Sequence, residues 1–495
     1  MKDSDLVYLS CYEQAELIHR RQMSPVDLVR ACLARIERYD GVLHAWITVD
    51  GEQALAQARR AEAEIAAGHY RGPLHGLPYG VKDQIHAAGF PTTLGTRVLS
   101  RSEMVAPGNA TVVQRLSDAG AILLGKQNLH EWGKGGTIVF PYGQPRNPWG
   151  PQYEASSSST GSGIAVAAGQ CSFAIGEDTG GSIRGPASCN GVVGLRPTFG
   201  RVSRHGGVMA GYTTDTLGPM ARSVRDIALI LEVISGADTE DCLSSMRPVE
   251  PYSDRLVGSV SGLRLAVVRE IAYSDGISEE VATAFERALA VLRTLGATVE
   301  EVSLPWAKWA VPLQMLSTDA DVASWFLAKW LRDRYDRFDQ GTRTRLAAAS
   351  LVPATVYNRA MRGRRLVRAQ VLEALHHHDA LLTPTHLMPP RKIEASQEKI
   401  ENPADIMPRL MRRRIALYPF SLANVPALSV PAGFSQAGLP LALQIVGRPF
   451  GETTVLKVGH AYQQASGWAD RHPDLDRTLA DCPPDAANST SGEAP

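Results

Sequence analysis

The chain lacks net charge, closely spaced cysteines and long apolar runs. Its 495 residues include 51 basic and 51 acidic side chains. This balance argues against nucleic acid as the main partner, because phosphate binding depends on net or clustered positive charge. The six cysteines are scattered without a C-x-x-C pair, which predicts reduced, mostly buried thiols rather than a disulfide frame or a zinc site. Without a run of about 18 strongly apolar residues or an apolar signal region, we expect a soluble cytoplasmic protein with no membrane partner.

Three common functional motifs are absent or broken. The segment 120–127 nearly matches a phosphate-binding P-loop, but Gln127 stands where that loop needs Ser or Thr to hold magnesium. The run His376-His377-His378-Asp379 has no HExxH context, and adjacent histidines on a helix point in different directions. No G-x-S-x-G elbow occurs either. We therefore predict no metal and no cofactor.

Helix and strand patterns alternate along much of the chain. Ser24 followed by Pro25 and, three residues after the serine, Asp27 is typical of a helix start. Further helices are predicted at 52–67, 111–119 and 279–295, and strands at 76–81, 121–124, 263–268 and 298–302. Such alternation predicts an α/β fold with a mixed, mostly parallel-type central sheet covered by helices on both faces. With no internal repeat or linker, we expect one domain over 1–480 and a polar, disordered tail over 481–495.

The segment 306–374 is predicted to be mostly helical and is rich in arginine. Ten arginines and three aspartates lie between Arg332 and Arg368. Two interpretations stay open: solvated helix faces with ion pairs, which we favour, or a cationic rim near a site entrance or a subunit contact.

The stretch Gly176 to Ser188, GEDTGGSIRGPAS, combines glycines, a serine and a charged pair. A lone Gly-Gly-Ser is more often a polar turn between core segments. The alternative is a reactive serine on a loop whose backbone N–H groups face a substrate oxygen.

Several further blocks decide between these interpretations. The chain carries, in order, Gly76-Leu77-Pro78, Val81-Lys82-Asp83, Gly125-Lys126 through Glu131, Asn147-Pro148-Trp149, a Ser/Gly-rich run over 156–163, the loop 176–187, Gly194-Leu195-Arg196-Pro197-Thr198, Gly200-Arg201-Val202-Ser203, Gly438-Leu439-Pro440 and Leu443-Gln444-Ile445-Val446-Gly447. This order resembles the amidase signature enzymes, whose loop pattern is G-x-D-x-G-G-S-I-R-x-P-A. The resemblance spans nearly the whole chain.

The resemblance implies an amidase signature fold with a variable helical substrate region at about 306–420. It implies that Ser182 is the nucleophile, that Ser158 follows a cis peptide bond and that Lys82 is the base. The implied oxyanion hole consists of the backbone N–H groups around Thr179, Gly180 and Gly181. Ser159, Asp178 and Arg184 are then supporting residues that hold the loop.

Two features qualify this resemblance. A free lysine has a pKa of about 10.4, so a lysine base needs burial or nearby positive charge to become neutral. In addition, Ser156, Ser157 and Thr160 occupy positions where relatives usually carry glycine. These side chains either narrow the loop or add hydrogen bonds to it.

The leading hypothesis is a stand-alone amidase that cleaves an amide C–N bond through an acyl-enzyme on Ser182, giving a carboxylate plus ammonia or an amine. Esters, anilides and carbamates are further candidate substrates. The alternative is the glutamine-amidase subunit of a tRNA-dependent amidotransferase; zero net charge and the unusual 306–420 region argue against it. A catalytically silent binding protein is a remote third hypothesis, because it predicts loss of Lys82, Ser158 or Ser182. The expected partner is a small amide-type molecule, with a homodimer left open.

Aromatic residues in the variable segments are candidates for an apolar pocket, although most are expected to be core. They are Tyr142, Tyr212, Trp306, Trp309, Trp325, Phe326, Trp330, Tyr335, Tyr418 and Phe420.

Overall fold

The computed structural model describes residues 6–209, 211–325, 328–394, 402–468, 470–480 and 482. Except for Cys482, the predicted disordered tail lies outside these residues, as does Phe326. No described helix combines the length and the apolar character needed to span a membrane.

The described residues form one eleven-stranded sheet in the order β1-β3-β2-β4-β6-β5-β10-β11-β9-β7-β8. Its strands are β1 Trp46–Val49, β2 Pro78–Lys82, β3 Ile122–Gln127, β4 Phe173–Asp178, β5 Val193–Arg196, β6 Thr216–Ala221, β7 Arg264–Val268, β8 Thr298–Val302, β9 Ala380–Pro384, β10 Ala427–Phe434 and β11 Pro440–Val446. The predicted strands at 76–81, 121–124, 263–268 and 298–302 correspond to β2, β3, β7 and β8.

The sheet is mixed, as predicted, but it is not mostly parallel. Four strand pairs are parallel, β2–β3, β2–β4, β7–β8 and β7–β9. Six are antiparallel: β1–β3, β4–β6, β5–β6, β5–β10, β10–β11 and β9–β11. Much of this difference comes from the C-terminal hairpin β10–β11, which inserts between β5 and β9 and runs antiparallel to both. Parallel order holds where a helical crossover returns the chain to the sheet.

The helices are α1 Cys11–His19, α2 Pro25–Leu43, α3 Gly51–Ala66, α4 Thr111–Asp118, α5 Thr160–Ala167, α6 Arg184–Asn190, α7 Val224–Ile234, α8 Arg269–Ala272, α9 Glu279–Thr294, α10 Ala310–Trp325, α11 Ala328–Asp333, α12 Gln340–Ser350, α13 Ala354–His377, α14 Ile406–Arg414, α15 Tyr418–Ala423, α16 Glu452–Ser466 and α17 Leu475–Thr478. The predicted start of α2 is confirmed, because the Ser24 side chain accepts hydrogen bonds from the Val26 and Asp27 N–H groups. Short 3-10 turns occur at Arg101–Met104, Glu131–Gly133, Ser253–Arg255, Pro305–Trp309, Tyr335–Arg337 and Pro403–Asp405.

Helices cover both faces of the sheet, as predicted. Phe173 and Ile175 of β4 belong to a buried cluster that includes residues of α7 and α16. Ala174, between them, belongs to a second cluster with residues of α2, α3 and α5. Alternate residues of a strand point to opposite faces, so β4 lies between two helical layers.

Several smaller predictions can be compared with the fold. All six cysteines are free thiols, and Cys11, Cys32, Cys171 and Cys189 are buried. The near-match to a P-loop lies inside strand β3, which continues to Gln127. The histidine run lies where α13 ends; His378 contacts Glu300, with a ring nitrogen 3.0 Å from a carboxylate oxygen.

Candidate active site

Three loops meet at one edge of the sheet. Lys82 is the last residue of β2, and the loop 179–183 follows β4, the parallel neighbour of β2. The carboxyl ends of parallel neighbours lie at the same edge, so the loop after β4 comes close to Lys82. The third loop, 156–159, precedes α5, whose residues are all buried.

Lys82 and Ser158 are in direct contact. The peptide bond between Ser157 and Ser158 is cis, and Lys82 Nζ lies 2.8 Å from Ser158 Oγ. Both side chains are fully buried. The Ser158 carbonyl accepts a hydrogen bond from the His130 N–H at 3.3 Å.

Ser159 joins the serine-rich loop to the loop that carries Ser182. Its N–H donates to the Ser182 carbonyl at 3.2 Å, and its hydroxyl donates to the Glu177 carbonyl at 3.1 Å. Ser182 retains 8% exposure and lines a small cavity, whereas Ser159 has no exposure. The structure therefore brings Ser182 and the Lys82–Ser158 pair into one site.

The two glycines before Ser182 are tightly constrained. Gly181 has a φ of +105°, a conformation that side-chain-bearing residues rarely adopt. A Cβ on Gly180 would lie 2.7 Å from the Tyr418 ring. The Gly181 N–H donates to Asp178 Oδ1 at 2.7 Å, so this predicted oxyanion donor is already engaged by a carboxylate.

Asp178 anchors the Ser182 loop through two buried arginines. Arg184 Nη2 and Arg196 Nη1 lie 3.0 and 3.1 Å from Asp178 Oδ1. Burial alone would raise the pKa of Asp178, but the two guanidinium groups hold it well below its usual value. Arg184 also donates to Gln444 and Ser421. The predicted charge pair between Asp178 and Arg184 exists, and Arg196 is a second partner that the sequence did not indicate.

Glu177 is the main site residue that sequence reasoning missed. Its Oε2 lies 2.8 Å from Lys82 Nζ, and both side chains are fully buried. Its Oε1 accepts a hydrogen bond from the Thr179 hydroxyl at 2.6 Å. The family pattern leaves this position open, so only the pairing of β2 with β4 could have indicated the contact.

A second buried carboxyl lies beside Glu177. Burial and the charge of Glu177 raise the pKa of Asp215 to about 7. The Gly211 N–H donates to Asp215 Oδ2 at 2.8 Å. The site therefore contains two buried acids, of which Glu177 contacts Lys82.

The serine and threonine side chains at usual glycine positions add hydrogen bonds. Ser156 adopts a φ of +64°, which explains why glycine suits this position. The Thr160 hydroxyl donates to the Ser156 carbonyl at 3.1 Å. Arg414 donates to Ser157 Oγ at 3.0 Å. Of the two expected effects, added hydrogen bonding is thus observed.

The cavity at Ser182 is small and carries positive charge. Its volume is about 30 Å³, and Lys134, Arg345, Arg414 and Tyr418 are among its lining residues. Asp319 pairs with Lys134 at 2.7 Å and with Arg345 at 2.5 Å. A second cavity of about 750 Å³ shares Ser157 and Arg414 with it.

The arginine-rich segment fits both interpretations in part. Arg345 is a cation at the site, whereas Arg343 forms an ion pair with the exposed Asp336. Four arginines of α13, namely Arg362, Arg364, Arg365 and Arg368, line an open cavity of about 630 Å³ elsewhere.

Of the candidate aromatics, Tyr418 lines the Ser182 cavity, Phe420 is core, and Tyr212, Trp306, Trp309 and Tyr335 are exposed.

Comparisons with known proteins show that the chain belongs to a family of amide-hydrolysing enzymes. Residues 27–456 match the family model described as Amidase, and the chain belongs to the amidase family. Among curated relatives, the A subunit of glutamyl-tRNA(Gln) amidotransferase from Moorella thermoacetica is 38% identical over 95% of this chain and 99% of its own length. The corresponding protein of Roseiflexus sp. is 39% identical over 94% and 98%.

Solved structures support the same family. A structure described as a vestigial protein complex that reveals the origins of an s-triazine catabolic enzyme has a TM-score of 0.84 at 31% identity, covering 92% of this chain and 98% of its own. The peptide amidase of Stenotrophomonas maltophilia has a TM-score of 0.81 at 31% identity, covering 94% and 98%. The glutamyl-tRNA(Gln) amidotransferase A subunit of Thermotoga maritima has a TM-score of 0.75 at 32% identity, covering 96% and 97%.

Proposed function

We propose that the enzyme hydrolyses its amide through an acyl-enzyme on Ser182, with Ser158 and Lys82 as the proton relay. The observation that carries this proposal is the 2.8 Å contact between Lys82 Nζ and Ser158 Oγ, at a cis peptide bond beside the Ser182 loop. No histidine or metal is needed for this relay. Retention of all three residues also argues against a silent binding protein.

The relay passes one net proton from Ser182 to Lys82 and later returns one from Lys82 to the leaving group. Lys82 takes a proton from Ser158 as Ser158 takes one from Ser182, and Ser182 Oγ attacks the amide carbon. The oxyanion is stabilised by the N–H groups of Thr179, Gly180 and Ser182, since that of Gly181 already donates to Asp178. The fold holds these groups in place before substrate arrives. The proton then returns through Ser158 to the leaving nitrogen, the C–N bond breaks, and water releases the acyl group.

We propose glutamine as the substrate, with the chain acting as the amidase subunit of a tRNA-dependent amidotransferase. The curated relatives support this function over nearly their whole length, although our sequence argument favoured a stand-alone enzyme. Asp319 already pairs with Lys134 and Arg345. Arg414 is therefore the cation at the Ser182 cavity that best suits a substrate carboxylate, such as that of glutamine. Such a chain releases ammonia for a partner and would work in a cytoplasmic complex.

A stand-alone amidase is the second candidate. It is favoured by the higher TM-score to the peptide amidase than to the amidotransferase structure. The two candidates share the chemistry and differ in substrate and in the need for a partner.

The test is a hydrolysis panel with the purified full-length chain. It contains glutamine, an aliphatic amide, an aryl amide, an anilide, a p-nitrophenyl ester and a carbamate, each with and without EDTA. Turnover should survive EDTA and fall by at least about 1,000-fold in Ser182→Ala, because the nucleophile is lost. Activity that persists in Ser182→Ala would refute the serine mechanism.

Partner dependence separates the two candidates. If the chain belongs to an amidotransferase, it should hydrolyse glutamine faster when co-expressed with the other subunits from its source. Rapid turnover of a peptide amide or an anilide by the isolated chain, with little glutamine hydrolysis, would favour the stand-alone enzyme. Ser466→Ala, a change at the last residue of α16, is the control variant and should hydrolyse each substrate at the wild-type rate.

A further inference from the structure

Lys82 must lose a proton before it can accept one from Ser158. Our sequence argument expected burial or nearby positive charge to achieve this. Burial is observed, but the side chain in contact with Lys82 Nζ, besides Ser158, is the acid Glu177. An opposite charge favours the protonated amine, so a passive ion pair would leave the base blocked.

The geometry allows a different outcome. The 2.8 Å distance between Lys82 Nζ and Glu177 Oε2 is a hydrogen-bond distance, and both side chains have no exposure. The hydroxyl of Thr179 holds the other carboxyl oxygen, Oε1. Oε2 therefore faces the lysine, while Ser158 Oγ contacts the same nitrogen.

We propose that Glu177 is a positioning residue that takes and holds the surplus proton of Lys82. The ammonium proton moves from Nζ to Oε2, which converts an ammonium–carboxylate pair into an amine and a carboxylic acid. The neutral amine then accepts the Ser158 proton, and no proton has to leave for solvent. The same proton stays on Glu177 until the Ser158 proton has returned to the leaving group.

Burial favours this proton transfer, because the transfer replaces two buried charges with two neutral groups. Separated charges lose much of their solvation in a protein interior, so a neutral pair gains relative to an ion pair. The nearby Asp215 carboxyl adds to this effect: when it is ionised, it repels negative charge on Glu177.

Other charged groups around Lys82 and Glu177 also affect the local electrostatics. Arg204 lies near Asp215 and partly offsets its charge, and Lys134 is also influenced by Asp215. Burial, together with the positive charges of Arg414 and Lys82, lowers the pKa of His130 to about 3. His130 is thus neutral at physiological pH and does not compete for the proton.

The test follows the rate at which Ser182 reacts with a fluorophosphonate probe between pH 5 and 10, using the full-length chain. In the wild type, the active form of the Lys82–Glu177 pair holds one proton, which Glu177 carries while Lys82 is neutral. The labelling rate should therefore reach its plateau below pH 8. In Glu177→Gln, Lys82 must lose its proton to solvent. The acid limb should move up by about two pH units or more, which lowers the rate at pH 7 by about 100-fold.

Two variants complete the design. Glu177→Asp keeps the carboxyl, so its acid limb should stay within about half a pH unit of the wild type even if the rate falls. Glu452, the first residue of the distant helix α16, is fully buried and accepts a hydrogen bond from the Thr198 N–H. The pH profile of labelling in Glu452→Gln should match that of the wild type.

Several outcomes would overturn the proposal. An acid limb in Glu177→Gln that is unchanged or moves to lower pH means that Glu177 merely pairs with the ammonium. A wild-type rate still rising at pH 10 has the same meaning and needs no variant, should Glu177→Gln fail to fold. The inference rests on the proposed base Lys82; a wild type that is labelled no more at Ser182 than Ser182→Ala would refute the proposed function itself, and this inference with it.

Discussion

At the scale of single residues, Asp215 shows how a buried site affects stability. Its folded-state pKa of about 7 lies above the ordinary value near 3.9. Between these values the folded chain holds a proton that the unfolded chain has released. The contribution of Asp215 to stability is therefore full below about pH 4 and is lost as the pH rises through 7.

Asp215→Asn should remove this dependence. We expect the variant to gain roughly 1–4 kcal/mol relative to the wild type at pH 8, and to gain little or nothing at pH 4.5. Urea unfolding at both pH values measures the difference. An equal change in free energy at the two values would show that Asp215 does not titrate near neutrality.

At the scale of elements, the loop between β4 and α6 depends on one carboxylate. Asp178 accepts hydrogen bonds from the loop N–H groups of Gly181 and Ile183 and pairs with Arg184 and Arg196. These arginines connect the loop to β11 and α15. Removing the charge leaves two buried cations without their partner, which is costly.

Asp178→Asn should lower the free energy of unfolding by about 3–5 kcal/mol and slow probe labelling of Ser182, because the loop loses its anchor. Asp27→Asn is a matched control: its pair with Arg30 is 63% exposed on the aspartate side, so a change within about 0.5 kcal/mol is expected. An Asp178→Asn enzyme as stable as this control would show that the arginines find other partners.

The sequence predicts local elements better than contacts between elements. The start of α2 follows from Ser24 and Pro25, since a cap is decided within a few residues. The positive φ of Gly181 is consistent with the Gly-Gly-Ser pattern for the same reason. The contact of Glu177 with Lys82 and that of Arg196 with Asp178 depend on strand order and packing, which no local pattern specifies.

At the scale of the whole molecule, the C-terminal hairpin joins distant parts of the chain. Strand β10 pairs with β5, and β11 pairs with β9, which continues to β7 and β8. The hairpin was not among the predicted strands, and its central place explains why the antiparallel pairs outnumber the parallel ones. One sheet includes residues from Trp46 to Val446. The strands before the hairpin (β1–β6) and the strands β7–β9 therefore each lack a strand partner at one edge without the hairpin.

We therefore expect the chain to unfold as one cooperative unit, in keeping with the predicted single domain over 1–480. Urea transitions followed by far-UV circular dichroism and by tryptophan fluorescence should coincide, despite a length at which intermediates are common. The tryptophans report on separate regions, with Trp46 in β1 and Trp468 after α16. Two resolved transitions, with β7–β9 melting apart from the rest, would instead divide the chain at the hairpin. In that case the edge carrying Lys82, Ser158 and Ser182 should keep its probe reactivity through the first transition, which labelling at intermediate urea concentrations would reveal.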